Sequence, residues 1–118
     1  MIPKIIHYCW FGGKPLDKLG HKCLNSWKKY FPGYDIKEWN ESNFDVNCCE
    51  YIKEAYKAKK WAFVSDYARF KILYKYGGVY FDTDVEVIRS FDGILSKGNY
   101  MGSERICDNV NPGLGMAV

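Results

Sequence analysis

The 118-residue chain has no long apolar run, no cysteine framework and little charge bias, and each lack closes off a class of protein. No stretch approaches the roughly 20 apolar residues of a membrane-spanning helix. The short apolar run after Met1-Ile2-Pro3-Lys4 is broken by His7, so it does not read as a signal peptide either. The five cysteines (Cys9, Cys23, Cys48, Cys49 and Cys107) are odd in number and form no C-x-x-C pair. That argues against a zinc site or a disulfide scaffold and fits a reducing compartment, with Cys9 as a small core residue. Seventeen basic and fourteen acidic side chains leave a formal charge of +3, without the concentrated basic face of a nucleic-acid binder. The one basic cluster, Lys53 to Lys60, reads as a solvated helix face. Repeats, low-complexity segments and linkers are also missing. The expectation is a cytoplasmic protein, with room for peripheral association at the inner face of a membrane.

What the chain does have is a core. Apolar residues make up 47% of it and aromatics 18%, which excludes disorder, and the length suits one domain over residues 1–118. Lys4 to Trp10 reads as a buried first strand stopped by Gly12-Gly13. Leu16, Leu19, Cys23, Leu24, Trp27 and Phe31 fall at helical spacing, and Pro32-Gly33 ends that helix. Tyr34 to Trp39 alternates as a strand, and a helix follows through Tyr51, Ile52, Ala55 and Tyr56. The spacing predicts a further helix from about Ala62 to Tyr76. Its expected apolar stripe is Phe63, Tyr67, Phe70, Leu73 and Tyr74, with Gly77-Gly78 as an αL stop. Val79 to Phe81 is a short strand, Val85 to Ile88 another, and Asn99 to Ser103 a third. Alternating strands and helices imply an α/β sheet covered on its faces. The final Leu114 to Val118 contains no recognisable closing element, so the expectation is an N-terminal fragment of a longer α/β protein.

In an open α/β sheet, ligands bind beyond the carboxyl ends of the strands. Two places meet that condition: His7 to Gly13, at the end of the first strand, and Asp82 to Asp84, straight after Val79 to Phe81. Two neighbouring carboxylates repel and are costly to desolvate unless a cation or donors neutralise them. In an extended strand, residues two apart are about 6.6 Å apart. Adjacent ligands of a Mg²⁺-like ion lie only about 3 Å apart. Both can chelate one ion only if the backbone bends at Thr83. Unequal roles follow, with Asp84 on the metal and Asp82 on sugar hydroxyls or bridging through water. Such an ion neutralises a diphosphate leaving group. Alone, the pair reads equally well as a hairpin turn. Asp66 and Arg69, three apart on a helix face off the expected apolar stripe, are either a simple ion pair or a phosphate- and sugar-binding pair.

The run Ser65-Asp66-Tyr67-Ala68-Arg69, followed by Tyr76-Gly77-Gly78-Val79-Tyr80-Phe81-Asp82-Thr83-Asp84, resembles the DXD-containing sugar-binding glycosyltransferases of family 32. That group includes capsular-polysaccharide transferases and yeast-type α-1,6-mannosyltransferases, and shares its core with the clostridial glucosylating toxins. The opening Ile2 to Gly13 resembles the group's first strand, and Asn111 to Val118 matches more weakly. The resemblance implies a GT-A (Rossmann-like) fold and a nucleoside-diphosphate sugar donor, with UDP-sugars favoured. It also implies Mn²⁺ or Mg²⁺ and transfer of a hexose, with retention, to an oligo- or polysaccharide acceptor. Carried over by position, Trp10 packs on the base, Asp66 and Arg69 contact the donor sugar and phosphate, Tyr80 and Asp82 lie along the donor, and Asp84 holds the metal. Asp82, Asp84 and Arg69 are then the catalytic group, and the acceptor side belongs to segments beyond this chain. His7 reads as a core residue and Glu86 as a strand-face charge.

Two other readings compete. One is a truncated, inactive nucleotide-sugar-binding fragment. The other is a haloacid-dehalogenase-like phosphatase with Asp82 as nucleophile, although that fold puts its D-x-D on the first strand and gives Arg69 no role.

Overall fold

The structure is a computed structural model and describes residues 2–101 and 115–118. Its first strand, β1 (Ile5–Cys9), and its second, β2 (Asp35–Trp39), flank the helix α1 (Lys18–Tyr30) in sequence. Asp17 starts α1 by accepting the Gly20 N–H at 2.7 Å, an N-cap that satisfies one orphan donor. Two helices follow, α2 (Glu50–Lys57) and α3 (Trp61–Tyr76), and then β3 (Val79–Tyr80). A short α4 (Asp92–Leu95) precedes β4 (Tyr100–Met101) and β5 (Met116–Ala117).

The five strands lie in the order β2-β1-β3-β5-β4. β2, β1 and β3 run parallel, whereas β5 pairs antiparallel with both β3 and β4. This is the expected α/β architecture, compatible with part of a GT-A fold. Met116-Ala117, which lacked any recognisable role in the sequence, is a strand inside the sheet. The expected strand at Asn99 to Ser103 is the two-residue β4, and Gly102 and Ser103 lie outside the described residues. So do Cys107 and the residues 111–114 of the weaker resemblance.

Strand alternation sorts side chains to two cores. Ile6, Tyr8, Val79, Phe81 and Ala117 pack with Cys23, Trp27 and Phe31 of α1. Cys9, Tyr80 and Met116 pack on the opposite face with Ile52 and Ala55 of α2 and Val64, Ala68, Ile72 and Leu73 of α3. The stripe expected on α3 is therefore corrected. Only Leu73 of that set is buried, while Phe63, Tyr67, Phe70 and Tyr74 face outward. The smaller aliphatic residues fit against the sheet at the same helical spacing, and Arg69 joins them on the buried side. Leu19 of α1 is likewise exposed, and the buried face of that helix is Gly20, Cys23, Ser26 and Trp27.

Gly77 has a positive φ of +67° as expected, but its ψ of −172° is extended rather than left-handed helical. Gly78 passes so close to β1 that a Cβ there would meet the Ile5 carbonyl oxygen at 2.7 Å. The chain can thus enter β3 beside β1 only with glycine at this point.

His7 ties this corner together. Trp39 Nε1 donates to its Nδ1 at 3.0 Å, and its Nε2 meets the Gly77 carbonyl at 2.9 Å. An indole can only donate, so Nδ1 is the bare nitrogen and Nε2 carries the proton. The ring is neutral and fully satisfied, the core role expected for it. Burial holds its pKa below 6.5, with Lys37 pushing the same way and the Gly77 carbonyl opposing. A histidine with a lowered folded pKa binds fewer protons folded than unfolded, so stability is lost as pH falls below 6.5 towards the folded value. Urea unfolding between about pH 7.5 and 5.5 should show this decline, and His7→Gln should remove that part of it. A wild-type midpoint that stays flat over the range would refute the assignment.

Candidate functional site

The carboxyl ends of β1 and β3 open into a cleft of about 470 Å³. Its wall after β1 is Cys9 to Gly12 with Lys14, and its wall after β3 is Asp82, Thr83 and Asp84. The start of α3 forms the third side through Trp61, Ala62, Ser65 and Asp66. These four recur at the spacing of one helix face, so Trp61 and Ser65 were findable by counting back from Asp66. Trp61 and Lys14 have no role in the sequence reading, whereas Gly12 lies in the candidate segment at the end of the first strand and Ser65 opens the run that carries the resemblance.

Gly12 has φ +106°, and a Cβ there would meet the Trp61 ring at 3.0 Å, so glycine lets the two walls close. Its N–H donates to Glu41 Oε2 at 3.2 Å. Trp10 Nε1 donates to the Lys14 carbonyl at 2.8 Å, which fixes the half-buried indole at the rim.

Behind the cleft lies the charge network that orients the acids. Arg69, with its side chain 9% exposed, contacts Asp66 at 3.0 Å and Asp82 at 3.8 Å. Tyr80 donates its hydroxyl to the same Asp82 oxygen at 3.0 Å. Burial raises the Asp82 pKa, with the neighbouring Asp84 and Asp66 adding to the rise and Tyr80 and Arg69 opposing it. The Cys9 thiol beside this group is pushed up to about 12 by burial, which makes it inert packing rather than a nucleophile. Of the residues expected at the site, Trp10, Asp66, Asp82 and Asp84 line the cleft, whereas Arg69 and Tyr80 stand behind them.

The bend that two-carboxylate chelation requires is present. Val85 N–H bonds to the Asp82 carbonyl at 3.1 Å, closing a turn over Thr83 and Asp84. Asp84 is exposed, and no ion pair engages it among the described residues. Also among the described residues, no cluster of three His, Cys, Asp or Glu side chains forms a ready metal cage. The donor set fits an ion held by one or two carboxylates and completed by phosphate oxygens and water, the usual habit of Mg²⁺.

The segment after the turn is not the strand expected at Val85 to Ile88. Its backbone is satisfied by side chains of α1 instead: Trp27 Nε1 donates to the Val85 carbonyl at 2.8 Å, and Val87 N–H donates to Ser26 Oγ at 2.9 Å. Ser26 in turn donates to the Cys23 carbonyl at 2.6 Å. Two side chains of a buried helix face thus hold the downstream arm of the carboxylate turn.

A family model described as a glycosyltransferase sugar-binding region containing a DXD motif matches residues 18–101. The chain is 30% identical over 115 residues to an uncharacterised glycosyltransferase of Acanthamoeba polyphaga mimivirus, covering 90% of this chain and 45% of that protein. It is 29% identical over 111 residues to inositol phosphoceramide mannosyltransferase 1 of Schizosaccharomyces pombe, covering 85% of this chain and 33% of the relative. With inositol phosphoceramide mannosyltransferase 3 of the same yeast it shares 29% over 105 residues, covering 80% and 27%. The chain spans less than half the length of these curated relatives.

Ser26→Ala tests the pinning of the turn. It leaves the buried Val87 N–H without an acceptor and should cost about 1–3 kcal/mol in urea unfolding, with faster amide exchange at Val85 and Val87. Unchanged exchange there would show that Ser26 does not restrain the segment.

Proposed function

The chain belongs to the family of glycosyltransferase sugar-binding regions containing a DXD motif, and from that membership we propose that its cleft binds a nucleoside-diphosphate sugar for transfer to an acceptor hydroxyl. The observation that carries the reading is the convergence on one cleft of an aromatic rim at Trp10 and the Asp82–Asp84 turn. An indole face suits a nucleobase, and an exposed carboxylate on a tight turn suits an ion bridged to a diphosphate. In this reading Asp84 is the direct ligand and Asp82 the second, oriented one. A bound Mn²⁺ or Mg²⁺ supplies neutralisation of the departing diphosphate.

Arg69 bridges Asp66 and Asp82 and holds both beside the cleft, and Asp66 accepts from donor sugar hydroxyls. The tyrosine at position 80 adds a second hold on Asp82, leaving the outer oxygen for the ligand. Transfer of a hexose with retention, to a glycan acceptor, is the finer part of the proposal and rests on the likeness of the Ser65 to Asp84 run. A UDP-sugar is favoured as donor. Two relatives are named mannosyltransferases of inositol phosphoceramide, so a GDP-linked mannose is the donor to test against it. The cell compartment proposed is the cytoplasm, at the inner face of a membrane, in keeping with cysteines that are free among the described residues.

Calorimetric titration of UDP and GDP, with and without Mn²⁺, into wild type and Asp84→Ala is the test. Binding that needs the metal and falls at least about tenfold in the variant is expected, since the ion has few protein ligands to lose. A folded wild type that takes up neither nucleotide would overturn the reading.

A further inference from the structure

The outward face of α3 carries aromatic residues where a solvated helix carries polar ones. Phe63, Tyr67, Phe70 and Tyr74 recur at i, i+4, i+7 and i+11, and all are exposed, Tyr74 to 93%. Tyr51 of α2 extends the strip, its ring 6.2 Å from that of Tyr67. Shallow grooves of about 540 and 280 Å³ run along it, the first edged by Lys71 and the second by Lys60, whose ammonium sits 5.6 Å over the Phe63 ring.

The charge around the strip is mostly basic, although Asp66 edges the first groove and Glu54 the second. Residues 50–76 hold seven basic and three acidic side chains, a net +4 against +3 for the whole chain, so the rest of the molecule sums to −1. Arg69 and Asp66 cancel in their ion pair. What remains is six exposed lysines facing two glutamates. Lys60, the end of the lysine run that reads in sequence as a plain solvated face, thus borders an aromatic one.

We propose that this α2–α3 face is a docking surface for an anionic lipid bilayer. Phenylalanine and tyrosine seat at the boundary between headgroups and acyl chains, and lysines beside them meet anionic headgroups. A strip one helix wide and 16 residues long is small for the roughly 800 Å² per partner of a stable protein interface, whereas a bilayer sets no such minimum. No described helix is long and apolar enough to cross a membrane, and the association proposed for this face is peripheral. Asp66 edges both this face and the cleft, which brings the cleft mouth close to the bilayer. The inference deepens the membrane part of the function proposed above and is independent of its donor chemistry.

The test is co-sedimentation of the chain with vesicles of phosphatidylcholine, with and without phosphatidylserine. Wild type should partition onto the anionic vesicles in a salt-sensitive way. The double variant Phe70→Ser/Tyr74→Ser, and separately Lys60→Glu/Lys71→Glu, should each lower that partition by about tenfold or more. Both variants should keep the wild-type circular dichroism and nucleotide titration, which separates loss of docking from loss of the donor site or of the fold. Wild type that ignores anionic vesicles, or variants that bind them equally, would overturn the proposal. So would light scattering that finds a wild-type dimer abolished by Phe70→Ser/Tyr74→Ser, because the face would then belong to a second copy.

Discussion

A guanidinium withdrawn from water governs the geometry of this site. Arg69 cannot shed its proton, so its burial has to be compensated by charge and hydrogen bonds rather than by neutralisation. The compensation comes from Asp66 one turn away and from Asp82 at the end of β3. Each carboxylate is thereby held by a solvation demand that originates in the core. The Asp82 contact is the longer of the two, and Tyr80 completes it. The position of the acids in the cleft is a by-product of making α3 packable against the sheet.

The opposite face of the sheet supplies the second restraint. Trp27 is fully buried in the α1 core, yet its single polar atom reaches the Val85 carbonyl. Ser26 does the same for Val87. The Asp82–Asp84 turn is thus gripped on one flank by α3 charges and on the other by α1 hydrogen bonds. A loop restrained from both layers of an α/β/α sandwich is suited to presenting carboxylates without reorganising them, which is what electrostatic preorganisation requires. Trp10 and Gly12 do the corresponding work at the end of β1, where a missing side chain lets Trp61 close the wall.

Much of this was legible because the chain is punctuated strongly. Gly12-Gly13, Pro32-Gly33 and Gly77-Gly78 mark ends of elements that the structure reproduces within a few residues. The D-x-D motif was placed correctly because an apolar strand runs straight into it. The α3 core face was misread because that helix is apolar on two sides, and a period of 3.6 does not say which side is inside. Large aromatics suggested the buried stripe, but Val64, Ala68 and Ile72 suit the narrow gap beside the sheet. Arg69 was assigned to the wrong face for the related reason that arginine is rarely buried. Val85 to Ile88 has strand composition, and only the tertiary fold reveals that its backbone partners are the side chains of Ser26 and Trp27.

The strand order has a consequence for how such a chain is made. β5 lies between β3 and β4, and Gly78 and Val118 exchange both backbone hydrogen bonds at that seam, each at 3.0 Å. During synthesis β2, β1 and β3 can assemble early, but the free edge of β3 has no neighbour until Met116-Ala117 has emerged. An exposed, apolar edge beside the carboxylate turn is a template for wrong pairing with other nascent chains. Closing it demands a contact of long sequence separation, among the slower steps available to a small domain. Until then the cleft is half-built, and the inner strand β5 doubles as the latch that ends the exposure of the β3 edge to wrong pairing.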